Sequence, residues 1–141
     1  MEFELSKIDA AVEQLDWAIR LFLDHKAYVP VIGLAAAAEE ILGKAVPGRS
    51  AFEALKAKLT GDFGLSEKQL NDDYLNKAKN WLKHWDGKPA TAKIRLELDE
   101  EALQYIVRAL TNLAIHDGSQ PSQGPRFWEW MSKNRLDLQS T

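Results

Sequence analysis

Apolar residues recur every three or four positions along most of the chain, which predicts a series of amphipathic helices. The first helix should begin after Ser6, a residue type that caps helix N-termini, and end near His25. The second should begin near Tyr28 and stop between Gly43 and Gly48. Because apolar residues cover almost its whole circumference, this second helix is predicted to lie at the centre of a bundle.

Two capping boxes, in which a hydroxyl residue and a residue three positions later bond to each other's backbone, predict two more helix starts. The pairs are Ser50 with Glu53 and Ser66 with Gln69. The third helix should reach about Leu59, before a turn at Thr60–Gly64. The fourth should continue until Lys88 and Pro89 break it.

A fifth helix should start at Asp99 and end near Gly118. Before it, apolar and charged residues alternate from Ile94 to Leu98, which fits a short extended segment. After it come a linker-like stretch, residues 117–125, and an aromatic-rich helical tail. The sequence therefore predicts an all-α protein. An up-and-down bundle of about five helices occupies residues 1–118, and residues 119–141 form a linker and tail helix that is not a separate domain.

Composition narrows the classes of function. A hydrophobic fraction of 45% and a charged fraction of 28% are typical of a soluble globular domain. The absence of cysteine excludes disulfides, thiolate metal sites and a cysteine nucleophile. No apolar run is long enough to span a bilayer and no basic leader follows Met1, so we expect a cytoplasmic protein without a membrane partner.

Positive charge is concentrated in one segment of an otherwise acidic chain, whose net charge is −3. Residues 77–95 contain six basic residues and one acid, Asp86. A focused basic patch is what contact with RNA or a nucleotide requires, although charged runs are commonly solvated helix faces. The basic residues are Lys77, Lys79, Lys83, Lys88, Lys93 and Arg95.

The segment Lys79-Asn80-Trp81-Leu82-Lys83-His84 lies within this patch. On a helix, one arc of about 140° would hold its polar residues and the opposite arc its apolar ones. The polar arc contains Asn76, Lys79, Asn80, Lys83 and His84, and the apolar arc Ala78, Trp81, Leu82 and Trp85. A cation, an amide and an imidazole facing solvent can bind phosphate and move protons. The alternative is a plain solvated face above a buried tryptophan-rich one.

This segment resembles the signature of the HEPN superfamily, in which a basic residue, usually arginine, is followed by a polar residue and, a few positions later, by histidine. HEPN domains are all-α bundles of four or five helices with this motif late on a core helix. The helix from Tyr28 to Lys44, with its small residues and paired glutamates, is similar to the second helix of bacterial members. The resemblance covers roughly Ser6 to His116.

Many HEPN proteins are metal-independent endoribonucleases, either toxins or RNA-processing subunits, that act as dimers around one cleft. The resemblance implies that His84 is the general acid or base in attack of a ribose 2′-hydroxyl on the adjacent phosphodiester. Lys79 would offset charge on the phosphate, and Asn80 would bind a phosphate oxygen or hold the imidazole. Lys83, Asn76 and Lys88 are the further candidates for contact with RNA phosphates. No metal or cofactor is implied.

Glu39 and Glu40 interrupt the most apolar helix and are candidates to reach Lys79 or His84 and orient the imidazole. The alternative is that both are simply solvated near the end of their helix.

Lys79 stands where the HEPN signature usually has arginine, and lysine is a flexible point charge that positions phosphate less well than a planar guanidinium. A non-catalytic HEPN-like bundle that binds nucleotide or a protein partner is therefore the alternative function. The resemblance implies a homodimer and, as further partners, an antitoxin or a nucleotidyltransferase. The tail aromatics Phe127, Trp128 and Trp130 would either dock a partner or fold back over the chain's own core.

Overall fold

The computed structural model describes residues 1–48, 50–64 and 75–138, and within these ranges it contains six α-helices and no strand. The all-α prediction is therefore confirmed. The helices are α1 (Lys7–Arg20), α2 (Tyr28–Ala45), α3 (Ala51–Phe63), α4 (Lys77–Lys83), α5 (Leu98–Asp117) and α6 (Gly124–Asn134). A π-helical turn at Leu21–His25 extends α1, and a 3-10 turn at Leu136–Leu138 follows α6. The predicted capping box of Ser66 and Gln69 lies outside the described residues.

Local capping chemistry sets the starts of α1 and α3. The Ser6 hydroxyl accepts the Asp9 N–H at 3.0 Å while the Ser6 N–H donates to the Asp9 carboxylate at 3.2 Å. Ser50 and Glu53 make the same reciprocal pair, with both bonds at 3.2 Å. The predicted cap at Ser6 and the predicted capping box of Ser50 and Glu53 are therefore confirmed. Each satisfies two backbone donors that the helix itself leaves without a partner.

The central helix of the bundle is α2, as predicted from its apolar circumference. It packs most extensively against α5 and α1, and it also contacts α4. Three of its alanines, Ala35, Ala36 and Ala38, are buried, so neighbouring backbones approach closely. Gly43 does not end this helix; a Cβ there would lie 3.3 Å from the side-chain nitrogen of Asn112, so glycine at this position serves close packing on α5.

Several predicted boundaries are wrong. The turn expected at Thr60–Gly64 is helical to Phe63, and Gly64, whose φ is +66°, ends α3 instead. The predicted cap of α5, Asp99, lies inside a helix that starts at Leu98, because Leu98 packs on the core. The predicted extended segment from Ile94 to Leu98 forms no strand.

The helix that carries the motif ends at Lys83, five residues before the predicted break at Lys88–Pro89. Local side-chain bonds compete with helix geometry immediately after that point. The indole N–H of Trp85 donates to the Lys88 carbonyl at 2.8 Å, and the Lys88 N–H donates to the Asp86 carboxylate at 3.1 Å. These bonds close residues 85–88 into a turn.

The aromatic tail folds back over the chain's own bundle, as the second interpretation predicts for Phe127 and Trp130. Phe127 is wholly buried, and its ring and that of Trp130 lie 6.0 and 5.1 Å from the ring of Phe22. The Asp16 carboxylate of α1 accepts the Gln123 N–H at 2.8 Å, just before α6 begins. Of these three aromatic residues, Trp128 is exposed and Trp130 is half-buried.

Among the described residues, no helix combines the length and the apolar character that crossing a membrane requires.

Candidate functional site

The short helix α4 faces the bundle differently from the prediction. Ala78 is wholly buried and Leu82, one turn later, packs on the core, so these two residues form the contact line with the bundle. Trp81 is 44% exposed and Trp85 is 76% exposed, so their predicted place on the buried arc is wrong. Small and medium side chains fill the contact with α2, which leaves the bulky indoles outside.

The predicted polar arc is also divided. His84 follows the last residue of α4 and has extended backbone angles, so it does not share a helical arc with Lys79. Lys79 and Asn80 are half-buried, whereas Lys83 and His84 are exposed. The reason is the early end of α4, which turns the chain away from the helix axis at His84.

Lys79 and His84 line different cavities. Lys79 lines one of about 250 Å³ with Asn76, Glu39 and Glu40, and an adjoining one of about 290 Å³ with Glu40 and Lys83. His84 lines a third cavity, of about 540 Å³, on the outer side of α4. Lys83 lines both this third cavity and the second one. The structure therefore brings Lys79 together with the paired glutamates and His84 together with other lysines.

Glu39 is a buried carboxylate that pairs with Arg108. One of its oxygens lies 3.7 Å from Nε of Arg108, and both residues are 5% exposed. Burial raises the pKa of Glu39 because it disfavours the charged form, and the charges of Arg108 and Lys79 oppose this effect. The glutamate therefore pairs with Arg108, and a role for it in orienting His84 stays a prediction. Glu40 is exposed and lies 3.8 Å from the Lys44 ammonium.

Sequence reasoning missed a polar stripe along α5, which we call the α5 stripe. Its members are Glu101, Tyr105, Arg108, Asn112 and His116. The signal was present in the sequence, since these residues follow one another at helical spacings of three or four. The stripe was hidden because it runs beside the apolar positions that face the core.

The α5 stripe bonds to backbone groups at the ends of other elements. The Tyr105 hydroxyl donates to the Leu75 carbonyl at 3.0 Å, just before α4. The Asn112 amide accepts the Ala51 N–H at 2.8 Å, where α3 starts, and donates to the Glu39 carbonyl at 3.4 Å. The stripe therefore fixes α2, α3 and the approach to α4 relative to α5.

The cavity of His84 combines positive charge with aromatic rings, and we call it the basic aromatic cavity. Its charged and aromatic lining consists of Lys77, Trp81, Lys83, His84, Trp85, Asp86, Lys88 and Lys93. Asp86, the one acid among these described residues, lies 3.9 Å from the Lys88 ammonium. This arrangement can hold phosphate groups by charge and present an imidazole to a bound sugar or phosphate.

Comparisons of the chain with protein-family models, with curated proteins and with solved structures found no match. Within residues 1–48, 50–64 and 75–138, no three His, Asp or Glu side chains are grouped so that they could hold a metal ion.

Proposed function

We propose that this chain is a HEPN-like protein that binds RNA in the basic aromatic cavity and cleaves it without a metal, with His84 as the proton-transfer residue. The observation that supports this most is the exposed imidazole of His84 in a cavity lined by four lysines and one acid. Cations attract the RNA backbone, and an accessible imidazole can exchange protons near neutral pH.

In the proposed reaction, neutral His84 takes the proton of a ribose 2′-hydroxyl while the 2′-oxygen bonds to the adjacent phosphorus. The bond from phosphorus to the 5′-oxygen breaks, and that oxygen takes a proton from an imidazolium, which in a homodimer is the second copy of His84. The products are a 2′,3′-cyclic phosphate and a free 5′-hydroxyl. Lys83, adjacent to His84 and in the same cavity, offsets charge on the phosphate better than Lys79, which lines other cavities.

A second candidate is non-catalytic binding of RNA or nucleotide. The observation that favours it is the division of the motif, since Lys79 and His84 line different cavities. A phosphate held by Lys79 would not be the phosphate next to His84.

The test is RNA cleavage at neutral pH in excess chelator by the wild type and by His84→Ala. We expect a loss of about 100-fold or more in the variant, with a 2′,3′-cyclic phosphate among the wild-type products. His25→Ala is the matched control, because His25 is also exposed but lies at the end of the turn after α1. Its activity should equal that of the wild type.

Two other outcomes contradict the proposal. If the folded protein binds RNA and leaves it intact, the non-catalytic candidate replaces the nuclease. If it neither cleaves RNA nor binds RNA or a free nucleotide, both candidates are wrong.

The homodimer is part of the proposal, because one imidazole takes the proton of the 2′-hydroxyl and a second donates to the 5′-oxygen. Sedimentation should show two copies at micromolar concentration, and a monomer would contradict the two-imidazole reaction. An antitoxin or a nucleotidyltransferase as a further partner stays a prediction from the resemblance.

A further inference from the structure

We infer that Trp81 and Trp85 are a base-stacking platform, so that the basic aromatic cavity takes RNA whose bases are unpaired and discriminates against duplex. This inference rests on the proposed binding of RNA and adds the residues that select its form. It does not depend on catalysis by His84.

Trp85 is arranged to offer its ring faces to a ligand. It is 76% exposed, although an indole in a folded protein usually covers apolar surface. Its one polar group is already used, since the indole N–H donates to the Lys88 carbonyl at 2.8 Å. That bond and the one from the Lys88 N–H to Asp86 hold the turn that carries the ring. What remains available is the flat π surface, held in a defined position.

Trp81 supplies a second ring in the same cavity. It lies in the last turn of α4 and is 44% exposed, while Ala78 and Leu82 anchor the helix to the bundle. The cavity volume of about 540 Å³ lies within the range, roughly 300–1,000 Å³, of pockets that accept molecules of nucleotide size. Two exposed rings on an anchored element therefore line a space that a nucleotide can enter.

The charge of the lining identifies the ligand class. Lys77, Lys83, Lys88 and Lys93 surround the rings, against the single described acid Asp86. Cations that hold the backbone, interleaved with aromatic rings that stack on bases, are the usual means of binding single strands without reading their sequence. In a duplex the base faces are covered by neighbouring pairs, so a stacking platform has nothing to contact.

The experiment measures binding of a labelled 2′-O-methyl oligoribonucleotide of about 12 nucleotides, alone and annealed to its complement. The methyl group blocks the 2′-hydroxyl, so the wild-type protein can be used without cleavage. We expect the single strand to bind more tightly than the duplex. Trp85→Ala and Trp81→Ala should each weaken single-strand binding by between about 5-fold and about 140-fold.

Three further measurements separate stacking from other roles. Trp85→Phe should keep most of the affinity, because it retains a ring. Trp128→Ala is the matched control; Trp128 is 40% exposed but lines a cavity between α5 and α6, and its loss should change nothing. The slope of log Kd against log salt should be the same for Trp85→Ala as for the wild type, since no cation is removed.

Equal affinity for duplex and single strand, or unchanged affinity in both tryptophan-to-alanine variants, would overturn the stacking inference and leave the proposed RNA binding intact. A change in oligomeric state of Trp85→Ala, seen by sedimentation, would also overturn it, because the loss would then come from assembly. Failure of the wild type to bind either form would end both the inference and the proposed function.

Discussion

Cationic and aromatic side chains occur together both in the interior and at the surface of this molecule, and their exposure to solvent distinguishes their roles. Inside the bundle, the guanidinium of Arg108 lies 4.4 Å from the ring centre of Tyr105 and 5.2 Å from that of Phe52. On the surface, lysines surround Trp81 and Trp85 in the basic aromatic cavity. The chemical groups are similar, but Arg108 and Tyr105 are buried, whereas Trp81, Trp85 and the lysines around them are exposed.

Burial obliges polar groups to find partners within the protein, because an unpaired buried group costs free energy. Tyr105 and Asn112 of the α5 stripe meet this demand through backbone groups of neighbouring elements, and in doing so they fix the bundle. The surface lysines face no such demand. Their charges and the indole faces remain available to a ligand, which is why we assign binding to the surface and architecture to the interior.

The largest expected effect is on the interior pair. Arg108→Met leaves Glu39 as a buried charge that has lost its ion-pair partner, and the free energy of unfolding should fall by about 3–5 kcal/mol. The double variant with Glu39→Leu removes both charges and should be more stable than the single one. Urea unfolding measures both. A single variant as stable as the wild type would show that the pair does not hold the interior together.

A smaller loss of stability is expected for Asn112→Ala. It removes the acceptor of the Ala51 N–H and the donor to the Glu39 carbonyl, so unfolding should cost about 1–3 kcal/mol less. Gln104→Ala, on the exposed side of the same helix, is the control and should lie within about 0.5 kcal/mol of the wild type. Equal stability of the two variants would contradict the structural role of the α5 stripe.

Lys83→Gln tests the surface and should leave stability almost unchanged. Removing one phosphate-binding cation should weaken single-strand binding several-fold and reduce the slope of log Kd against log salt by about 0.7. Lys58→Gln is the matched control, because Lys58 is an exposed lysine on α3, away from the basic aromatic cavity. If both variants bind RNA equally, the basic aromatic cavity is not the site of contact.

The smallest expected effect concerns pH, because Arg108 and Lys79 offset part of the cost of burying Glu39. Its folded-state pKa is raised above 4.5, so the folded protein holds this proton more tightly than the unfolded chain. The contribution of Glu39 to stability is therefore largest at acidic pH and falls as pH rises through the folded pKa.

The measurement is the unfolding free energy of the wild type minus that of Glu39→Gln, taken from acidic pH upward through the folded-state pKa of Glu39. The difference should decrease as pH rises. The subtraction cancels other groups, such as Asp24, whose pKa is lowered by its hydrogen bond with Arg126. A difference that grows with pH would mean that pairing outweighs desolvation at Glu39.

Prediction from sequence succeeded for the bundle and was uneven for the candidate site. Apolar spacing predicted the all-α class, the central place of α2 and a first helix that ends near His25. The sequence pattern indicates that the motif residues are candidates for phosphate binding and proton transfer. Of these candidates, Lys83, His84 and Lys88 line one cavity. The separation of Lys79 from His84 could not be foreseen, because it depends on where α4 stops.

The sequence by itself determined the features that depend on residues a few positions apart. The capping boxes at Ser6 and Ser50 form within a single turn, and Gly118, whose φ is +75°, ends α5 in the left-handed conformation. The spacing of apolar residues likewise specifies a helix. In a long helix it also specifies which side is buried.

The tertiary structure alone decided which face of α4 is buried, where the tail lies and which residues of the motif share a cavity. A helix of seven residues carries too few apolar positions to define its own buried face. Packing against α2 therefore determines which of its side chains are buried. That space accepts Ala78 and Leu82 and excludes the indoles of Trp81 and Trp85. The exposed rings that we assign to RNA are thus a consequence of packing between distant parts of the chain.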